Sequence, residues 1–175
     1  VAPLATLVLD APILTSVVAL TSAQVWQAMA ATNFAVVGMV NAVGHARTAG
    51  VVIVTDRPHV RFMSGRQEWK VRHIEQNPHV SVTVPIPKRI PLLPMIKVPA
   101  ATITFRGTAR LVDPADAAPG VLKALTGGLE LGETAQDMTV VEITPQGDFV
   151  TYGIGMRVDK MRDTQFARGR APVDG

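Results

Sequence analysis

The spacing of apolar positions changes several times along the chain, and each change marks an element. Val25, Trp26, Met29 and Ala30 recur at helical spacing behind Thr21 and Ser22, either of which can cap a helix running to about Ala31. Phe34 to Asn41, FAVVGMVN, is apolar and rich in β-branched residues, which predicts a strand buried on both faces. Ala42 to His45 is a turn, and a second strand is expected from about Ala46 to Val54. Asp56-Arg57-Pro58-His59 reads as another turn, because Pro58 fixes φ and Asp56 can cap locally. Val60 to Met63 is the third strand. Connections this short between three strands predict an antiparallel meander.

Gln67 to Gln76 has the pattern of a short helix, and Asn77-Pro78 ends it, since the residue before a proline is pushed out of the helical region. His79 to Val84 alternates polar and apolar residues, the signature of a half-buried strand. Pro85 to Pro99 holds five prolines and is neither a helix nor a central strand. Its apolar part, Ile86 to Val98, fits a lid, a substrate wall, a surface-contacting loop or packing across a subunit interface. Ala100 to Val112 is a long strand with Thr102, Thr104 and Arg106 on one face. Pro114 to about Leu125 is a weak helix interrupted by Pro119 and Gly120, Met138 to Ile143 a strand, and Phe149 to Arg157 a last strand. Asp163 to Gly175 is a polar tail expected to fray. Six or seven strands with a few short helices and no βαβ alternation predict a mainly β fold, an antiparallel barrel. Its expected limits are an apolar extension over 1–20, the barrel over 21–160 and the tail over 161–175.

Composition narrows the chemistry. The 175 residues contain no cysteine, so there is no disulfide framework and no thiolate metal site; a reducing cytosol is the compartment this fits. A net charge of +3 suits an anionic ligand, but aromatic residues are 5 %, too few for a base-stacking surface, and nucleic acid is not expected as a partner. The first twenty residues lack a basic start and are broken by Pro3, Asp10 and Pro12, which argues against a membrane span or a secretory leader. His45, His59, His73 and His79 form no HxH or HxxxH pair, so no metal site is expected. Neither GxGxxG after a strand nor GxxxxGK[ST] occurs, and there is no GxSxG elbow.

The chemically suggestive stretch is HVRFMSGRQEWKVRHIEQNPHVSVTVP, His59 to Pro85. A hydroxyl, Ser64, and the cations Arg66, Lys70 and Arg72 gather where a strand gives way to a helix N-terminus, a place suited to a phosphate. Arg66 and Lys70 are four apart and would share a helix face, with Arg72 off it. A solvated basic helix paired with Glu68 and Glu75 explains the same charges, and Ser64 fits an ordinary turn equally well.

The order strand, Ser64, Lys70, Ile74, Asn77-Pro78 and Val80-Ser81-Val82 resembles the pyridoxamine 5′-phosphate oxidase-like FMN-binding split β-barrel family. That superfamily also holds flavin and deazaflavin oxidoreductases. FAVVGMVNAVGHARTAGVVIV looks like the family's first hairpin, and TYGIGMRVDKMRD like a late strand of some members; the likeness spans roughly residues 21 to 160. The resemblance implies a Greek-key-like split barrel that works as a homodimer, with a flavin ring held in a groove between subunits. It implies that Lys70 grips the cofactor phosphate, that Ser64 closes the third strand beside it, and that Arg47 assists. Thr48, Ala49, Gly50 and Val51 would line the ring. Trp69 stands where the oxidase has a second phosphate-binding cation, so Arg66 or Arg72 would have to supply that charge. The oxidase's Arg-x-His substrate pattern near the C-terminus is absent, so pyridoxamine phosphate oxidation is not the expected activity.

The expected function is that of an oxidoreductase moving hydride to or from a small organic substrate on FMN or on the deazaflavin coenzyme F-420, with no side chain nominated as catalytic. The alternatives are a non-catalytic flavin, deazaflavin or haem binding and storage protein of the same fold, and a structural dimer with a degenerate pocket.

Overall fold

A computed structural model describes residues 18–88, 99–162 and 166–174. Most of the apolar N-terminal extension and residues 89–98 of the proline-rich segment therefore lie outside the described residues. Eight strands form one sheet: β1 (Val18–Ala19), β2 (Phe34–Val40), β3 (Ala46–Asp56), β4 (His59–Gly65), β5 (His79–Ile86), β6 (Ala101–Val112), β7 (Met138–Tyr152) and β8 (Arg168–Pro172). The order is β1-β8-β7-β4-β3-β2-β5-β6, and β6 also pairs with β7. That extra pairing closes β2 to β7 into a six-stranded antiparallel barrel, with β8 and β1 as a flap on β7. Closure removes the free edges such a sheet would otherwise expose.

The barrel interior is filled by Phe62, Phe105, Phe149, Ile103, Ile143, Val37 and Val82, each at most 3 % exposed. Phe149 takes the edges or faces of Trp26 and Phe105 at ring-centroid distances of 5.5 Å, in the T-shaped geometry aromatic quadrupoles favour. Helix α1 (Ser22–Ala30) packs Val25, Trp26 and Met29 into this core. Thr21 is its cap: the Thr21 side chain accepts from the Gln24 amide, and the Gln24 side chain accepts from the Thr21 amide. Ser22 has a different task, donating its hydroxyl to the Val173 carbonyl at 2.7 Å.

Three expectations change. First, β2 is not buried on both faces. Ala35, Val37 and Met39 point inward, while Phe34 is 43 % and Val40 36 % exposed. An apolar run cannot be told from an alternating one when both faces carry apolar residues. Second, the last two expected strands are one: β7 runs through Pro145 and Gly147, bending where three residues, 147–149, oppose only Phe105 of β6. Third, the supposedly loose tail carries β8, which pairs antiparallel with β7 and parallel with β1; Ala171 and Val173 are buried. The weak helix after β6 splits into a 3-10 turn at Pro114–Asp116 and α3 (Pro119–Thr126), which ends on Gly127 at φ 64°.

The meander is as expected: β2–β3 and β3–β4 are antiparallel. The β2–β3 turn is held by Asn41, whose Oδ1 accepts from the amides of Val43 and His45 at 3.1 and 2.8 Å. No helix among the described residues is long and apolar enough to cross a membrane.

Candidate functional site

Helix α2 (Trp69–Gln76) follows β4 after a short turn, and Glu68 is its cap residue. The helix is amphipathic: Val71 and Ile74 are buried, while Arg72 and Glu75 face solvent. Its two first amides, those of Trp69 and Lys70, have no acceptor within the helix by the geometry of an α-helix start. Lys70 lies here with its side chain 19 % exposed, and its Nζ is 3.5 Å from Glu68 Oε2. At that distance the contact is a loose ion pair that an incoming anion can replace. Ser64, at the end of β4, is 4 % exposed, and its hydroxyl reaches only the Gly65 carbonyl at 3.5 Å. Its side chain shares the inward face of β4 with Val60 and Phe62.

Arg47 comes from the neighbouring strand. Its guanidinium lies over the Trp69 ring, 4.0 Å from the centroid. Trp69 is packed in turn against His73, with ring centroids 5.4 Å apart at 86°, and His73 Nδ1 bonds to the Trp69 carbonyl. The indole is therefore a fixed platform, and Arg47 rests on it with its N–H edges unclaimed by any carboxylate among the described residues. A charge delivered from β3 thus stands over the position that the sequence comparison left without one. Spacing along α2 could not reveal it, because Arg47 and Trp69 are 22 positions apart and meet across the β3–β4 hairpin.

Arg66 behaves differently from its expected partnership with Lys70. Residues 66 and 67 form a turn rather than helix, so the four-residue spacing does not place both side chains on one face. The Arg66 amide bonds to the Asp137 carbonyl, its Nε to the Gln136 carbonyl, and its Nη2 to Asp113 Oδ2 at 2.6 Å. The Ala115 amide first, and then Arg66, hold the Asp113 carboxyl below its usual range against a desolvation effect that raises it. Arg66 also lines a cavity of about 950 Å³ between α3 and the loop before β7, beside Pro119, Leu122, Leu129 and Leu131.

The ring-lining candidates separate by face. Val51 is 7 % exposed and belongs to the core, so only its backbone is available to a ligand. Thr48 and Gly50 point outward, directly across from Gly38 and Val36 of β2. A Cβ on Gly50 would stand 3.0 Å from Cε2 and Cζ of Phe34, whose half-exposed ring lies over the glycine. Gly50 therefore makes room for an aromatic surface rather than relieving a bend. Around it Phe34, Val36 and Val52 form an apolar outer face, with Val52 59 % exposed.

A second cluster, missed in the sequence, sits on the outside of β4, β6 and β7. Glu142 is 3 % exposed and takes Arg61 on one oxygen and Arg110 on the other at 2.6–2.7 Å, with His59 Nε2 at 3.6 Å. Burial raises the Glu142 pKa, but hydrogen bonds from Arg61 and Arg110 and the charges of Arg61 and His59 outweigh it and hold the carboxyl below its usual range. The three charged residues are in register, Arg61 opposite Glu142 and Arg110 opposite Glu142. This is a structural brace, remote from the Arg47–Trp69 corner in sheet register. No group of three or more His, Asp or Glu able to hold a metal occurs among the described residues.

Comparison with known proteins agrees with this architecture. Among curated proteins none matches the sequence. Among solved structures, a putative pyridoxamine 5′-phosphate oxidase of Listeria innocua superposes with TM-score 0.56 at 18 % identity, covering 71 % of this chain and 92 % of that one. An F420 reductase gives TM-score 0.52 at 20 % identity, covering 70 % and 94 %. The haem storage protein HutZ of Vibrio cholerae gives 0.56 at 16 %, covering 76 % and 95 %. These likenesses carry the fold and no more. The family model described as pyridoxamine 5′-phosphate oxidase matches residues 22–148, from the start of α1 to the bend of β7. The chain belongs to the pyridoxamine 5′-phosphate oxidase family.

Proposed function

We propose that this protein is a homodimeric oxidoreductase that binds a flavin-type cofactor and moves hydride to or from a small organic substrate. The observation that carries the reading is the Arg47 guanidinium laid over Trp69, the residue before Lys70 at the start of α2. It brings a second cation to the start of α2, next to Lys70 and the helix-start amides, donors of the kind a phosphate monoester or diester requires. When bound, the cofactor would supply the redox chemistry. The chain's part is to fix the phosphate with Arg47 and Lys70, to offer the outer face around Gly50 to the ring, and to exclude water. The apolar strip of Phe34, Val36 and Val52 is the surface a second copy would cover, which is why a dimer forms part of the proposal. FMN and the deazaflavin coenzyme both satisfy this corner, and a cytosolic setting suits a cysteine-free chain.

One observation favours the non-catalytic alternative. The Phe34 ring occupies the space over Gly50, and a protein that only stores a planar ligand could hold it against that ring without presenting a substrate face. Titration separates the readings. The purified protein is titrated with FMN and with the deazaflavin coenzyme, followed by cofactor fluorescence, and then assayed in reduced form against quinones and enones. Failure of both cofactors to bind below about 100 μM removes the cofactor reading. Tight binding without turnover of any acceptor establishes storage in place of catalysis.

A further inference from the structure

A groove of about 660 Å³ lies beside the Arg47–Trp69 corner, along one rim of the barrel. Its floor is a single row of residues paired across five strands: Thr48 of β3 opposite Gly38 of β2, Gly38 opposite Ser81 of β5, Ser81 opposite Arg106 of β6, and Arg106 opposite Gln146 of β7. Directly paired residues share a face, so Thr48, Ser81 and Arg106 all point outward along one line. Gly38 keeps the middle of the line open: a Cβ there would meet the Ser81 carbonyl and the Thr48 methyl at 3.5 and 4.0 Å. From Thr48 to Arg106 the row spans three strand spacings, about 14 Å.

Its charge is of one sign. Arg47 stands at one end, Arg106 and His79 at the other, with hydroxyls between them, and no carboxylate lines the groove. The bend of β7 aims Arg106. At that point the register against β6 jumps from Val150 to Gln146, and Gly147, at φ 73°, leaves the guanidinium space it lies across, with Nη2 3.4 Å from where a Cβ would be. No carboxylate among the described residues pairs with Arg106, and the Gln146 amide nitrogen donates to the Thr108 hydroxyl. A single phosphate ion would fill only a small part of such a volume.

Resting on the cofactor reading above, we infer that this groove receives a second anionic arm of the cofactor, one bearing carboxylates beyond the phosphate held at Arg47 and Lys70. The protein's cofactor is then a tailed one, and Arg106 is its specificity-determining residue. Of the two cofactors considered, the deazaflavin coenzyme has such an arm and FMN ends at its phosphate. The arm would run from Arg47 over Gly38 and past the Ser81 hydroxyl to Arg106, with His79 beside it.

Three probes test this by fluorescence titration of the full chain: FMN, the deazaflavin coenzyme with its glutamate tail, and the same deazaflavin cut at the phosphate. The wild type is expected to bind the tailed coenzyme at least about tenfold more tightly than the cut one, in line with a charged hydrogen bond, with the gap narrowing as salt rises. Arg106→Gln should remove most of that gap while leaving affinity for the cut deazaflavin unchanged; Arg106→Glu should reverse it. Arg106 is exposed, so both variants should keep the wild-type melting temperature, which is measured alongside. Equal affinity of the wild type for tailed and cut forms overturns the groove inference and leaves the cofactor reading standing. So does a loss in Arg106→Gln that falls equally on both forms. Failure of all three probes to bind the wild type overturns the cofactor reading itself, and the inference with it.

Discussion

Replacing Glu142 with glutamine tests whether the outer brace is a real source of stability. The carboxylate is 4 % exposed in its side chain and holds two guanidiniums at 2.6–2.7 Å, Arg61 with a side chain 14 % exposed and Arg110 with one 67 % exposed. Removing one partner of a fully buried ion pair costs roughly 3–5 kcal/mol, mostly because the other charge is left unpaired. Here the Arg110 half is solvated and contributes at most about 1 kcal/mol, as exposed pairs do. Arg61 keeps Asp56 at 2.8 Å as a second partner, which softens its loss. The expected cost of Glu142→Gln is therefore about 2–3 kcal/mol, a fall in melting temperature of roughly 4–12 °C for a chain of this length. Arg110→Met should cost less than about 1 kcal/mol. The pH dependence gives a second handle. The folded carboxyl titrates below its ordinary value of 4.5, so its contribution is complete above about that pH and is lost as pH falls through the lower folded value. The gap in melting temperature between wild type and Glu142→Gln should hold from pH 7 to about 5 and close below. Thermal melts across pH 3 to 7 decide it. A variant as stable as the wild type at pH 7, or a gap that widens in acid, would refute the reasoning.

The remaining predictions concern the cofactor corner. Lys70→Ala should weaken cofactor binding by roughly 1.5–3 kcal/mol, about 10- to 150-fold, in the same fluorescence titration; unchanged affinity would place the phosphate elsewhere. Asp113→Ala should strengthen phosphate binding if Arg66 belongs to the anchor, because it frees the guanidinium, and should leave affinity unchanged if Arg66 serves only to tie the 3-10 turn to α2. Gly50→Ala should shift the melting temperature little, since only the half-exposed Phe34 ring has to move, yet it should lower cofactor affinity. Equal affinity there would mean that the ring does not lie on β3.

Much of the fold could be read from local patterns. The alternation of His79–Val84, the Asn77-Pro78 stop and the Ala42–His45 turn each act through neighbours in sequence, and each sits where expected. What escaped was set by distant contacts. Val18–Ala19 and Arg168–Pro172 have little strand character of their own and become strands only because β7 offers an edge to one and that one offers an edge to the other. Pro145 and Gly147 look like the end of a strand, yet β7 continues through them, because a bend absorbs both. The site divides in the same way. Ser64 and Lys70 lie on one stretch and could be named together. Arg47 reaches the start of α2 through the β3–β4 hairpin, and Arg66 is drawn off by Asp113, which no spacing along α2 could indicate. The row Thr48–Gly38–Ser81–Arg106 is invisible until three strand registers are known.

The hydrogen bond from Ser22 to the Val173 carbonyl bears on the order in which the molecule takes shape. It joins positions 151 residues apart. During synthesis α1 leaves the ribosome before any barrel strand, whereas its partner carbonyl emerges after all of them. The six barrel strands, 34 to 152, are complete by then and need neither partner to close. Helix α1 should therefore settle in two steps, burying Val25, Trp26 and Met29 when the barrel forms and locking its first turn only when β8 arrives. In refolding followed by pulsed hydrogen exchange, amides of β3 to β7 should gain protection before the first turn of α1, because the Ser22–Val173 contact spans more chain than any pairing among those strands.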